Sequence, residues 1–336
     1  MPLAQRLLGT TGLAVTPLGL GLAALAALGR PGYINLGHAP DLAHDYDVAA
    51  MEAHAHATLD AAWAGGVRYF DAARSYGRAE EFLGRWVTAR QIPPGAITVG
   101  SKWGYVYTAC WQVVAPTHEI KDHSLPVLRR QYAESRATLG AYLRLYQIHF
   151  ATIESGVLDD RAVLGELARL KADGVRIGLS LSGPRQGDTL RRAIATEVEG
   201  VRLFDGVQAT WNLLEQSAGS ALAEAHAAGM GVVIKEALAN GRLTERNMDP
   251  DFVPRRRLLE SEAARLGATI DALALAMALA QPWADVVLSG AASREQLVSN
   301  LGALAVAVDE VAHETLRPLE EPVADYWARR AQLAWN

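Results

Sequence analysis

The sequence predicts an α/β fold: a closed (β/α)8 barrel of the TIM type with an N-terminal β-hairpin and a C-terminal helix. Three observations predict it. Short β-rich runs alternate with helical runs to the end of the chain, with no composition shift or linker, and the strands number eight. The length of 336 residues at 50% apolar composition is ordinary for such a barrel and can bury one large core, so residues 1–336 are expected to form one domain. Three successive strands end in Asp71, Lys102 and His149. In a parallel barrel all C-terminal strand ends open on one face, so these side chains and Tyr76 are expected to converge there.

Residues 6–21, R-L-L-G-T-T-G-L-A-V-T-P-L-G-L-G, place two short apolar runs around T-T-G, which reads as a hairpin leading into a first strand at about 15–20. The long loop 23–47 holds Arg30, Tyr33, Asn35 and His38 as pocket candidates, because long loops in compact domains are often functional. A helix over 51–64 stops at Gly65-Gly66. The run V-R-Y-F-D-A-A-R-S-Y-G at 67–77 then gives a strand at 67–70 closed by Asp71, with Tyr76 on the loop beyond. By themselves, Asp71 capping a turn and Tyr76 packing against the barrel remain the alternatives.

A helix at 78–89 and a Pro93-Pro94-Gly95 turn precede the strand I-T-V-G-S-K at 97–102. A helix at 124–139 leads to the strand L-R-L-Y-Q-I-H at 143–149, and a helix at 159–173 stops at Gly174. Later strands are expected at 176–180, 206–209, 232–235 and 286–288, and helices near 188–195, 217–228, 271–280 and 294–301. Charged residues of 255–265 read as a solvated helix face.

The net charge of −5 offers no basic face, so no nucleic-acid partner is expected. The start of the chain has no apolar core of signal-peptide length, and 272–280 is too short to span a bilayer, so a cytoplasmic protein with no membrane partner is expected. Cys110 is the single cysteine, which suits a reducing compartment. His54 and His56 lie two apart on a helix and therefore on different faces, and no metal site is expected. Oligomeric state is not legible.

With these residues in hand, the chain resembles the aldo-keto reductase superfamily nearly end to end. The hairpin R-x-L-G-x-T-G-L-x-V-x-x-L-G-L-G is similar to the family's opening, F-D-A-A-R-S-Y-G to its Asp and Tyr motif, S-K-W-G to its Lys motif, and L-Y-Q-I-H to its His motif. The resemblance implies a catalytic set of Asp71, Tyr76, Lys102 and His149, and a nicotinamide cofactor, usually NADPH with NADH possible. Segments 229–244 and 288–300 resemble the two that hold the cofactor's phosphates and adenosine. In the first, Lys235, Leu238, Asn240, Gly241 and Leu243 are the implied contacts. In the second they are Gly290, Ala291, Ser293, Gln296 and Asn300. Ser180 and Gln208 match positions that hold the carboxamide.

Three departures stand out. Leu181 replaces an Asn beside the carboxamide, Lys235 replaces an aromatic residue stacked on the nicotinamide, and Ala292 replaces an Arg or Lys that pairs with the 2′-phosphate. Ser293, Arg294 and Gln296 are the nearest substitutes. Lys235 could either set its ammonium against the oxidised ring or turn it to Glu236 and cover the ring with its stem.

The chemistry fits the residue types. Reducing a carbonyl puts negative charge on oxygen, which needs a donor such as Tyr76. A free tyrosine titrates near a pKa of about 10, and an adjacent ammonium such as Lys102 favours its phenolate, with Asp71 keeping that ammonium charged. His149 can orient the carbonyl. Trp103, Tyr105, Tyr107 and Trp111 follow the Lys102 strand, and Trp103 and Tyr105, with Tyr33, are the expected substrate-pocket walls. The expected substrate is a small aldehyde, ketone or sugar-like carbonyl or alcohol. The rivals are a cofactor-binding regulatory protein with poor turnover and a Schiff-base lyase using Lys102 or Lys235.

Overall fold

The computed structural model describes residues 3–23, 47–112 and 114–333. Tyr33, Arg30, Asn35 and His38 lie outside the described residues.

A small antiparallel hairpin, β1 (Arg6–Leu7) and β2 (Ala14–Val15), precedes the first barrel strand, β3 (Leu18–Gly21). The expected strand over 15–20 is thus split, because Val15 pairs back to Arg6 and Pro17 has no N–H to give to a ladder. Helix α1 (Val48–Ala64) starts at Asp47, whose carboxylate accepts from Ala49 N and Ala50 N. Then come β4 (Tyr69–Asp71), α2 (Ala79–Ala89), β5 (Thr98–Trp103), a hairpin of β6 (Tyr105–Tyr107) and β7 (Glu119–Lys121), α3 (Leu125–Leu139) and β8 (Leu143–Ala151). Helix α4 (Arg161–Ala172) is capped by Asp160 and leads to β9 (Arg176–Leu181) and α5 (Gln186–Ile194). A two-residue-strand hairpin, β10 (Glu197–Val198) and β11 (Val201–Arg202), precedes β12 (Gly206–Thr210), α6 (Gly219–Ala227) and β13 (Gly231–Lys235). The chain continues through α7 (Val253–Arg265), α8 (Ile270–Leu279), β14 (Val286–Ser289), α9 (Arg294–Leu301), α10 (Glu310–Leu316) and α11 (Val323–Ala331).

Strands β3, β4, β5, β8, β9, β12, β13 and β14 close into one barrel, all in parallel register. This is the α/β fold that the alternation predicts. The two extra hairpins are additions that it did not predict; their strands of two or three residues are too short to carry a periodic signal. Helix α7 has six charged residues among its thirteen, as expected of a solvated face, but buries Leu259, Glu262 and Ala263.

The hairpin β1–β2 closes the end opposite the strand C-termini. Asp285 accepts from Gly9 N at 3.1 Å and Val232 N at 2.8 Å, which ties the hairpin turn to the start of β13. Gly9 has φ +50°, and a Cβ there would stand 2.4 Å from Gly231 N, so the close approach requires glycine. The other end, where Asp71, Lys102 and His149 emerge, is left for chemistry. No helix among the described residues is long and apolar enough to cross a membrane.

Candidate active site

Register brings the polar residues together. Asp71 at the end of β4 pairs with Gly100 of β5, and Lys102, two residues further on, points to the same face. The missing side chain at Gly100 makes the room: a Cβ there would lie 2.7 Å from Tyr69 Oη and 3.3 Å from Asp71 Oδ2. Lys102 is 1% exposed and its Nζ donates to Asp71 Oδ1, to Ala72 O at 3.0 Å and to Tyr76 Oη at 3.4 Å. Burial pushes the Lys102 ammonium below the usual lysine range, and the Asp71 carboxylate works against that shift.

Asp71 itself gathers further donors. Gln208 Nε2 from β12 reaches its Oδ2 at 2.9 Å, Gln147 Nε2 at 3.3 Å and Tyr69 Oη at 3.4 Å. Four donors hold this buried carboxylate in a fixed position.

The loop after β4 is anchored by Arg74 N on Lys102 O at 3.1 Å, and it carries Ser75 and Tyr76 to the barrel mouth. Ser75 Oγ lies 3.3 Å from His149 Nδ1, and the His149 ring meets Tyr76 edge-on with centroids 5.5 Å apart. Tyr105 packs on the other side of His149, at 5.0 Å. The four residues expected at the barrel mouth therefore do converge.

Beyond His149 the strand is irregular. Phe150 has φ +52°, uncommon for a bulky residue, and the β8–β9 register slips between Ile148 and Ala151. Ser180, at the matching end of β9, is fully buried and accepts from Phe150 N at 3.0 Å. Its hydroxyl thus supports the bulge and does not line the cavity.

Lys235 is the direct β-partner of Thr210. Its Nζ donates to Thr210 Oγ1 at 2.7 Å and to Glu236 Oε1 at 3.3 Å, and lies 5.0 Å from the Phe150 ring centroid. Burial lowers its pKa to about 8, with Glu236 opposing. Burial alone would raise the Glu236 carboxyl, but Arg330 of α11 and Lys235 overcome this and hold it at about 2. Arg330 grips Glu236 through both nitrogens, at 2.7 and 2.5 Å.

A cavity of about 380 Å³ starts at these residues. Gly21, Asp71, Tyr76, Gln208 and Lys235 line it at or just after the strand ends, Leu238, Asn240 and Gly241 from the segment after β13, and Gly290, Ala291, Gln296 and Asn300 from the segment after β14. Among the expected contacts, Ser180, Leu243 and Ser293 are not in its lining, and Leu243 is fully buried in a core cluster with Phe252 and Leu259. Ser293 caps α9, accepting from Gln296 N at 3.3 Å. Trp103, expected as a pocket wall, is also corrected: it is 0% exposed within the main core, edge-on to His123. One step beyond Lys102, its side chain takes the opposite strand face from the barrel interior.

Sequence reasoning missed Ser75, Phe150 and Arg330. Ser75 sits in a quoted motif, but nothing local marks it as a partner of His149. Glu245, Asp271 and Glu295 also wall the cavity. Asp271 and Glu295 occupy first helical turns, where acidic residues are ordinary dipole partners.

The family model for the Aldo/keto reductase family matches residues 43–321. Pyridoxal 4-dehydrogenase of Microbacterium luteolum is 31% identical over 156 residues, 40% of this chain and 40% of that protein's length. Aldo-keto reductase str7 of Strobilurus tenacellus is 26% identical over 344 aligned positions, covering 96% of this chain and 93% of that protein. Among solved structures, aldo-keto reductase AKR11C1 from Bacillus halodurans, in its holo form, superposes with a TM-score of 0.73 at 21% identity, covering 95% and 97% of the two chains. That structure shares the fold. The family match spans most of the chain and includes Asp71, Tyr76, Lys102 and His149, and the chain belongs to the aldo/keto reductase family.

Proposed function

We propose that the chain is a nicotinamide-dependent oxidoreductase acting on the carbonyl or alcohol carbon of a small aldehyde, ketone or sugar-like substrate, with Tyr76 as general acid and base. The observation that carries this reading is the reach of Lys102 Nζ to both Asp71 and Tyr76 Oη, beside His149 at the head of the cavity.

The cavity walls suit an elongated cofactor. Gly21, Ala23, Gly241, Gly290 and Ala291 leave room along its length, and the Gln208 and Asn240 amides supply polar contacts. When bound, the nicotinamide supplies or takes the hydride. Tyr76 gives its proton to the substrate oxygen as negative charge develops there, a contribution typically of about 10² to 10⁴ in rate. The Lys102 ammonium stabilises the phenolate left behind, and Asp71 holds that ammonium charged and in place. Ser75 Oγ lies within hydrogen-bond distance of His149 Nδ1, and in the tautomer that carries its proton on Nε2 the ring donates to the same oxygen. In the alcohol direction the phenolate takes the proton back.

The Schiff-base reading loses support at Lys102, because an amine held by a carboxylate and buried at 1% exposure is not a free nucleophile. Its remaining support is the lowered Lys235 pKa of about 8. Cofactor oxidation followed with a panel of aldehydes and ketones, in wild type and Tyr76→Phe, tests the proposal. The variant should bind cofactor normally and lose 10² or more in kcat; retention of more than about a tenth would remove Tyr76 from the role of acid. Trapping of a substrate adduct by borohydride would instead favour the lyase.

A further inference from the structure

We infer that the cavity selects NAD(H) over NADP(H), because its far end is lined by carboxylates and three backbone donors of the turn there are already engaged by the chain's own side chains. The inference rests on the nicotinamide reading given above. If the reacting ring lies at Tyr76 and Gln208, the adenosine half must extend along the same cavity to its opposite end, between α8, α9 and the segment after β13. The two cofactors differ there by one group, a 2′-phosphate that carries about −1.5 to −2 charges near neutral pH, as phosphomonoesters do.

That end holds three carboxylates from three separate elements: Glu245 after β13, Asp271 in the first turn of α8 and Glu295 in the first turn of α9. Two arginines stand near them, Arg246 among the cavity walls and Arg294 next to Glu295, so the three carboxylates outnumber the cations. In the amide orientation that satisfies both of its polar atoms, Asn300 donates to Asp271 Oδ2 at 2.8 Å, which fixes that carboxylate at the wall. A phosphate brought among these groups meets like charge, whereas a ribose hydroxyl can donate to a carboxylate.

The backbone offers a phosphate little in compensation. A turn at the start of a helix can bind an anion through free N–H groups, but here three of them go to the chain's own side chains. Ala291 N donates to Ser289 Oγ at 3.2 Å, Ala292 N to Gln296 Oε1 at 2.8 Å and Gln296 N to Ser293 Oγ at 3.3 Å. The side-chain oxygen of Gln296, a candidate cofactor contact from the sequence, is therefore used by the turn. The apolar Ala292 adds no charge of its own.

Equilibrium titration of the intact protein with NADH and NADPH, followed by tryptophan fluorescence or calorimetry and without substrate, tests this. NADH should bind at least tenfold more tightly at low salt. Added salt should narrow the gap by improving NADPH binding, since screening weakens repulsion. Glu295→Gln and Asp271→Asn should each strengthen NADPH binding threefold or more and leave NADH binding level or weaker; Glu295 is exposed, so its variant carries little folding risk. Equal affinities, tighter NADPH binding, or variants that leave NADPH affinity unmoved would overturn the selectivity while the nicotinamide reading stands. If neither dinucleotide bound, both readings would be overturned.

Discussion

At the scale of residues, the site is built by burying a cation. Burial works against the Lys102 ammonium, the Asp71 carboxylate opposes that effect, and the same nitrogen reaches Tyr76. Lys102→Met keeps most of the stem's volume and removes the charge, so activity should fall and the pH profile for alcohol oxidation should move to higher pH. An unmoved profile would uncouple Lys102 from Tyr76. Lys235 tests a different point. Because its ammonium is engaged by Thr210 and Glu236, Lys235→Met should change the affinities for oxidised and reduced cofactor by the same factor; a gain confined to the oxidised form would show that the charge acts on the ring. Asp71, Tyr76, Lys102 and His149 were legible because strand periodicity places residues at strand ends and a parallel barrel collects those ends on one face. Trp103 and Leu243 were not, since an apolar residue next to a site reads alike whether it faces the cavity or the core. The bulge at Phe150 also leaves no mark in sequence, because it arises from a register slip between two strands.

At the scale of elements, a buried carboxylate ties the C-terminal helix α11 to the barrel mouth, beside the Asn212 bond to Tyr326 Oη and the packing of Tyr326 and Trp327. Arg330 holds Glu236, and Glu236 in turn neighbours Lys235, so the helix and the end of β13 share a buried charge cluster. Breaking such a pair by removing one partner typically costs about 3 to 5 kcal/mol, and Glu236→Gln should lose an amount of that order in urea unfolding. The folded-state pKa of Glu236 lies at about 2, below the unfolded value of 4.5. Its ionisation therefore stabilises the fold fully above pH 4.5, and that contribution fades as pH falls toward 2. The wild type should lose stability across this window more steeply than Glu236→Gln; parallel curves would mean that the carboxylate is not tied to Arg330 in the folded state. The existence of a C-terminal helix was readable, but its docking was not, because nothing local in residues 323–331 says where Arg330 reaches.

At the scale of the whole molecule, the barrel is closed at one end and open at the other. The hairpin seals the base through Asp285 and the tight approach of Gly9 to β13. Gly9→Ala meets backbone at 2.4 Å in a left-handed conformation, so it should cost on the order of 2 kcal/mol or more while leaving kcat unchanged, since the base lies opposite the site. A variant equally stable to urea would show that the hairpin does not seat as described. The closed eight-strand order was legible from alternation alone, because a chain of strands separated by helices has few other ways to bury both faces. The central claim concerns the open end, that a hydride passes there to a carbonyl carbon under proton donation by Tyr76. The direct measurement is mass spectrometry of the alcohol formed from a responsive carbonyl with cofactor deuterated at the transferring position of the nicotinamide. One deuterium on the former carbonyl carbon in the wild type, at a rate at least 10² lower in Tyr76→Phe, is the result expected; product without deuterium at that carbon, or formed equally fast by the variant, would contradict it.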